Sequence, residues 1–290
     1  MRSTDAEIAV VIPTRNRETR LAFALEALAA QTLDVDRFEV VVVRAPDAVD
    51  GPLCEAPSGL RVRFLVAGVA GPAAQRNVGW RATTAPVVAF TDDDCRPAAD
   101  WLECLLGASD GDGVFLQGRT EPDPDEEHLY WGLARSWRIT AENGWYATCN
   151  MAYPRALLQR LGGFDEAFPG AWGEDTDLGL RAVEAGAAQR YVDDALTWHA
   201  VLPRPLPAAL REARRRDATV MVIARHPEHR AELHHGYFAH ARHARLVPLL
   251  LGLTQLRRRP LLAAIAAVPY VVGNVDRSHM GPRGLARQAL

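Results

Sequence analysis

Residues Val88–Pro97 read V-A-F-T-D-D-D-C-R-P, a short apolar run that stops in three aspartates. A β-type run ending in clustered carboxylates delivers negative charge to the carboxyl edge of a sheet. There it can hold a divalent cation against a phosphate-bearing ligand. The same residue types also close a strand as an Asx-rich turn, with no ligand at all. Alone the cluster favours function only weakly; its companions along the chain decide.

Those companions come in a fixed order. An apolar strand leads into Pro13-Thr14-Arg15-Asn16-Arg17, and G-P-A-A-Q-R-N-V-G-W covers Gly71–Trp80. After the aspartates come G-G-F-D-E at 162–166 and W-G-E-D-T-D-L at 172–178. This order resembles the family 2 glycosyltransferases of the GT-A fold, over roughly residues 7–200, with the last 90 residues outside it. The resemblance implies that Asp94 is the direct ligand of Mn²⁺ or Mg²⁺, with Asp92 near the ribose or the metal and Asp93 in the same donor site. It implies that Asp175 is the base of an inverting transfer. His199, behind Trp198, completes the metal shell or touches the pyrophosphate in similar enzymes. Pro13, Thr14 and Arg15 leave the first strand where nucleotides dock. Trp145, Asn150, Trp172 and Glu174 border the acceptor and sugar pocket.

The chemistry can be argued from residue types as well. Displacing a nucleoside diphosphate requires its pyrophosphate to be neutralised, and Asp92 and Asp94 offer hard oxygen ligands to a divalent cation. The acceptor hydroxyl needs a base, which a carboxylate such as Asp175 supplies within hydrogen-bond reach. Each residue has a plainer alternative. Acids in a first helical turn, Glu174 and Asp177 above all, complement the helix dipole. Arg15 and Arg76 can donate to a base or phosphate, or be solvated surface arginines. A lone histidine is often structural, and a buried Trp145 is as readily core.

One departure concerns the donor. After the second strand the family usually shows D-D-G-S, whose first aspartate reads the uracil imide. Here the run is Val43-Arg44-Ala45-Pro46-Asp47. Arginine cannot accept that hydrogen bond, but it can donate to carbonyl or N7 acceptors such as those of guanine. Asp47 substitutes only if its loop folds back. GDP or another nucleotide therefore stands beside UDP as the expected carrier.

The elements that must position these residues follow from periodicity. Ile8–Ile12, Phe38–Val43, Val62–Val66 and Pro86–Thr91 read as strands of a mainly parallel sheet, Phe38–Val43 as a buried one. Leu21, Leu25 and Leu28 recur at helical spacing, and Pro72 is placed to start a helix carrying Gln75, Arg76, Asn77 and Trp80. Further strands are expected at Val114–Gln117, Tyr146–Tyr153 and Gln189–Val192, and helices at Pro154–Leu161 and Asp175–Ala185. Pro122–Glu127 reads as a solvated acidic loop. The expected fold is an α/β, GT-A type open sheet, mainly parallel and flanked by helices, over residues 1–200. An arginine-rich helical extension follows over 201–290.

With 290 residues, 48% hydrophobic and 24% charged, the chain can bury a substantial core and is not disordered. Four cysteines without C-x-x-C pairing and no secretory leader point to a reducing compartment. The net charge of −3 hides a segregation of sign. Residues 201–290 carry 15 arginines against 5 acids, whereas the first 200 carry 18 against 31. Such a basic tail invites an anionic membrane surface. Its arginines lack interleaved aromatics, so nucleic acid is not the expected partner.

Leu206–Arg225 reads as an arginine-rich helical stretch. Leu246–Leu253 and Leu261–Gly273 are apolar runs shorter than the ~18–20 residues of a membrane span. They are either core helices or an interfacial hairpin. The expected place is the cytoplasm, with peripheral attachment to the inner face of the plasma membrane. Attachment would favour a lipid-linked or cell-envelope acceptor. A nucleotidyltransferase is disfavoured, because the loop after the first strand has no glycine. The remaining rival is a catalytically impaired nucleotide-sugar-binding module at the membrane surface. The other eight histidines read as surface residues.

Overall fold

A computed structural model describes residues 6–48, 54–130, 134–168, 170–205, 207–208, 217–238 and 241–274. Two compact units meet in the sequence at Arg225 and His226.

The first unit is built on an eight-stranded sheet. Its strands are β1 (Ile8–Thr14), β2 (Phe38–Arg44), β3 (Val62–Val66), β4 (Val87–Thr91), β5 (Cys95–Pro97), β6 (Val114–Pro122), β7 (Asn150–Pro154) and β8 (Ala188–His199), in the order β3-β2-β1-β4-β7-β6-β8-β5. The pairs β3–β2, β2–β1, β1–β4 and β6–β8 are parallel; β4–β7, β7–β6 and β8–β5 are antiparallel. The helices of this unit are α1 (Glu18–Ala29), α2 (Pro72–Arg81), α3 (Trp101–Ala108), α4 (Arg155–Leu161), α5 (Glu174–Glu184) and α6 (Asp217–Arg225).

Central strands β1, β2 and β4 are continuous apolar runs because both of their faces are covered. Val10 and Ile12 point into one layer with Leu21, Leu25 and Leu28 of α1 and Trp101 and Leu105 of α3. Val11, Val41 and Val43 point into the other, with Trp80 of α2, Leu157 and Leu158 of α4 and Leu178 of α5. Helix α2 lies close on the sheet because residue 79 is glycine: a Cβ there would fall 2.3 Å from Val11 Cγ1.

Two expectations are corrected here. Pro122–Glu127 is not simply a solvated loop. Pro124–Leu129 forms a 3₁₀ turn, and Asp123 is buried by a bidentate pair with Arg96 at 2.6 and 2.7 Å. Glu126 is held by Arg20 and by the Val201 backbone N–H. Of the histidines read as surface, His226 and His229 are buried. In the Leu206–Arg225 stretch the helix described is α6; residues 206 and 209–216 lie outside the described residues. The second unit holds a 3₁₀ turn at Pro227–Glu232 and two helices, α7 (Ala241–Thr254) and α8 (Pro260–Asn274).

Candidate active site

Three parallel strands end on one edge of the sheet, and each delivers one group. Thr14 closes β1, Arg44 closes β2 opposite Thr14, and β4 runs out into Asp92-Asp93-Asp94. The pairing of β5 with β8 sets Cys95 opposite His199, which returns the far end of β8 to the acidic triplet. The site is thus assembled by strand ends.

The three aspartates divide the work. Asp93 is buried and ties β4 to β1, accepting from Thr14 Oγ1 at 2.8 Å and from Arg17 Nη1 at 3.1 Å. Burial pushes its carboxyl up to about 7, against the pull of Arg17. Asp94 accepts from Arg17 Nη1 at 2.6 Å through Oδ2, while Oδ1 lies 3.7 Å from His199 Nε2. Asp92 keeps a partly exposed side chain and accepts from Arg76 Nη2 at 2.8 Å.

The donor set suits a divalent cation. His199 Nδ1 lies 2.8 Å from the Ala200 carbonyl, which can only accept, so the ring proton sits on Nδ1. Nε2 is thereby turned toward the Asp94 carboxylate, where a neutral ring would offer its lone pair to a cation. Carboxylate oxygen and imidazole nitrogen side by side form a donor pair that a divalent cation accepts. Cys95 lies in the same cluster, with its sulfur within 4.8 Å of the Asp94 and His199 ligand atoms. Burial pushes its thiol well above the ordinary range, and its soft sulfur suits Mn²⁺ or Mg²⁺ less well than the carboxylate oxygen does.

Helix α2 organises the rest, one residue at a time. Gln75 donates to the Thr14 and Val43 carbonyls at 2.9 and 2.7 Å, pinning the ends of β1 and β2. Arg76 is buried and spans the site, donating to Asp92 at 2.8 Å and to Glu174 Oε1 at 2.8 Å. Asn77 grips the G-G-F-D-E loop through the Phe164 backbone and Glu166. A Cβ at Gly163, whose φ is +80°, would lie 2.4 Å from Asn77 Oδ1.

Arg76 therefore links the acidic triplet to the start of α5. Glu174 is buried there, and its Oε2 has no hydrogen-bond partner among the described residues; neither does Arg76 Nε. Burial raises both Glu174 and the neighbouring Asp175, whose charges repel, while Arg76 pulls both down. Asp175 keeps a partly exposed face, with Oδ1 accepting from the Thr176 backbone N–H at 2.8 Å. Substituting Arg76→Ala is expected to cost about 3–5 kcal/mol, because it strands a buried carboxylate. Urea unfolding would measure it; a change below about 1 kcal/mol would contradict the clamp.

The remaining residues fall into place around α5. Trp145 and Trp172 are half-buried beside its start; the Thr176 hydroxyl donates to the Trp145 carbonyl at 2.8 Å. Trp172 pairs with Trp137 at 5.9 Å, and Arg135 lies 5.4 Å over its ring. Asn150 differs from the pocket-lining position expected of it. It is wholly buried, accepting from Trp101 Nε1 and donating to the Arg119 and Ala195 carbonyls. Pro13 is buried within β1, and Asp47 is engaged by Arg15 at 2.8 Å, both exposed. Arg17, Trp137 and Arg135 carry no sequence signal that marks them for this place, although Arg17 belongs to the Pro13–Arg17 run.

The description "Glycosyl transferase family 2" matches residues 9–167. The chain belongs to that family, and its fold is that of the GT-A glycosyltransferases. It is 29% identical over 213 residues to validoxylamine A glucosyltransferase of Streptomyces hygroscopicus subsp. jinggangensis, covering 60% of this chain and 50% of that protein. The chain thus spans about half the length of that relative. Among solved structures, mannosyltransferase PcManGT from Pyrobaculum calidifontis, in complex with GDP-Man and Mn²⁺, gives a TM-score of 0.58 at 19% identity, covering 98% of this chain and 78% of that one. S. aureus TarS 1-349 in complex with UDP gives 0.55 at 19% identity, covering 67% and 60%.

Proposed function

We propose that this chain is an inverting, metal-dependent glycosyltransferase that moves a sugar from a nucleoside diphosphate sugar to a hydroxyl acceptor. The observation that carries the reading is Arg76, one buried guanidinium joining the acidic triplet to the helix that presents Asp175. That guanidinium holds Asp92 of the triplet and Glu174, the neighbour of Asp175, one side chain apart, which supports metal and base candidates sharing one site. Asp94 and His199 would hold Mn²⁺ or Mg²⁺, which neutralises the leaving diphosphate when bound.

The acceptor oxygen attacks the anomeric carbon and gives its proton to the Asp175 carboxylate. The carbon–oxygen bond to the diphosphate breaks, and the leaving group keeps the electron pair. One displacement inverts the anomeric centre. Trp145 and Trp172 are proposed to border the acceptor, and Glu174 to hold Arg76 in place. The acceptor is proposed to be a lipid-linked or cell-envelope glycan, a reading supported by the basic C-terminal segment alone.

The test is release of nucleoside diphosphate from candidate donors with and without Mn²⁺, with the product anomer read by NMR. Mn²⁺-dependent release and an inverted anomer are expected. Donor binding without turnover on any acceptor would instead favour an impaired binding module at the membrane surface.

The donor base is proposed to be one with acceptor atoms facing Arg44, as GDP has. Arg44 ends β2 with Thr14 and Val66 as its register neighbours, and Asp47 is already paired with Arg15. Calorimetry with UDP and GDP in Mn²⁺ is expected to show GDP at least about tenfold tighter, the lower end of one good base contact. Tight UDP binding with none for GDP would remove the idea.

A further inference from the structure

The hairpin of α7 and α8 has the packing of a lipid-facing structure. Residues 241–274 contain no aspartate or glutamate. Their five arginines, Arg242, Arg245, Arg257, Arg258 and Arg259, gather at the two ends of the hairpin. Residues 255–259 turn the chain tightly, with the Arg258 and Arg259 backbone N–H groups bonding back to Gln255, and the two helices pack on each other.

Where α7 meets α8 at Gly252, the contact is made by small residues. Gly252 is buried, and a Cβ there would lie 2.7 Å from Ala266 Cβ and 3.3 Å from the Ala263 carbonyl. Many of the large aliphatic side chains face outward. Val247, Leu250 and Leu251 on α7 and Leu261, Ile265 and Val268 on α8 are 45–73% exposed. A helix pair packed for water does the reverse, burying its large residues and exposing its small ones. Small residues inside and aliphatic residues outside is the arrangement helices adopt in lipid. The patch also far exceeds scattered surface leucines in continuity along both helices.

Among the described residues no helix is long and apolar enough to cross a membrane. At 14 and 15 residues, α7 and α8 measure roughly 21 and 22 Å, against roughly 30 Å of hydrocarbon. With arginines at both ends, neither end can lead into the hydrocarbon cheaply. A second copy of the chain is a poorer occupant. Pairing two hairpins would bring ten arginines together with no carboxylate in the segment to meet them.

We propose that the α7–α8 hairpin is a monotopic anchor lying along the interface of an anionic bilayer. Its aliphatic face enters the acyl boundary and its arginines bind lipid phosphates. This goes beyond the transfer reaction and does not depend on it.

The full chain would be floated with phosphatidylcholine vesicles, with and without phosphatidylglycerol. Binding to the anionic vesicles at least tenfold above the neutral ones is expected, falling with salt. The double variant Leu261→Glu, Ile265→Glu is expected to lose flotation, and the triple variant Arg257→Gln, Arg258→Gln, Arg259→Gln to lose the preference for anionic lipid. Circular dichroism and GDP or UDP binding would verify that each variant folds. Equal recovery of the unaltered chain in the soluble fraction with both vesicles overturns the proposal. So does a stable dimer by light scattering that Leu261→Glu dissociates without any vesicle binding.

Discussion

Replacing Asp175 by asparagine is expected to lower kcat by about 10²–10⁴-fold, the range that a positioned general base supplies. The substitution is close to isosteric, and the amide oxygen it leaves can still accept from the Thr176 backbone N–H, so α5 keeps its first turn. Donor affinity, measured by calorimetry with a nucleoside diphosphate and Mn²⁺, should change less than about threefold, because Arg76 and the acidic triplet are untouched. A fall in donor affinity that matched the fall in kcat would make Asp175 a binding residue instead.

The same carboxylate sets a pH signature. Burial raises Asp175 above the ordinary aspartate range, and Arg76 opposes that rise. A base must be deprotonated, so kcat/KM should fall as pH drops through that raised value, at a higher pH than an exposed aspartate would give. Arg76→Gln removes the opposing charge and should move this acid limb further up. A limb that moved down would contradict the assignment of Arg76 as the group that keeps Asp175 ionised.

Much of this site was written in local patterns. The strands at 38–43, 62–66 and 86–91 were readable to within a residue, the first and last because a strand covered on both faces is apolar nearly throughout, and the edge strand at 62–66 from its β-branched residues. The helix from Pro72 was equally plain, since proline at a first helical position loses no hydrogen bond. The apolar run at 146–153 misled. Only Asn150–Pro154 is strand, and Tyr146 has φ of +50° and packs where Gly179 leaves room. Its burial comes from ring packing rather than pairing, which alternation cannot distinguish. Strand β8 is longer than Gln189–Val192 suggested, because it continues through exposed Asp193 and Asp194, where its register against β6 shifts between Val192 and Thr197.

Arg17 shows what local patterns leave out. Its partners lie 76 and 77 residues away, and nothing in the P-T-R-N-R run tells which of the arginines turns inward. His226 and His229 are a similar case: their spacing reads as surface, yet the turn at Pro227–Glu232 buries them. The acidic stretch at 122–127 read as solvated because its counter-charges, Arg20 and Arg96, come from distant elements.

Asp94→Ala is expected to abolish Mn²⁺-dependent binding of the nucleoside diphosphate, weakening it by at least the 10–100-fold that loss of a mere outer-shell partner costs. The fold should survive, because the backbone carbonyl of residue 94, not its side chain, holds the Ala200 N–H. Arg17→Ala should act in the opposite sense on the cation alone. In this structure Arg17 supplies the positive charge at Asp94 Oδ2, at 2.6 Å, with nearly half of its own side chain exposed. A divalent ion must share or displace that contact, whose net worth is about 1.5–3 kcal/mol for a hydrogen bond to a charged group. Solvent exposure of the arginine places it at the low end. Removing the guanidinium should therefore tighten Mn²⁺ binding in the absence of nucleotide by about tenfold, read by the electron paramagnetic resonance of free Mn²⁺. Unchanged Mn²⁺ affinity in both variants would place the cation away from Asp94. If Asp94→Ala alone weakens the ion and Arg17→Ala tightens it, the acidic triplet is a cation site that the protein keeps neutralised with its own arginine.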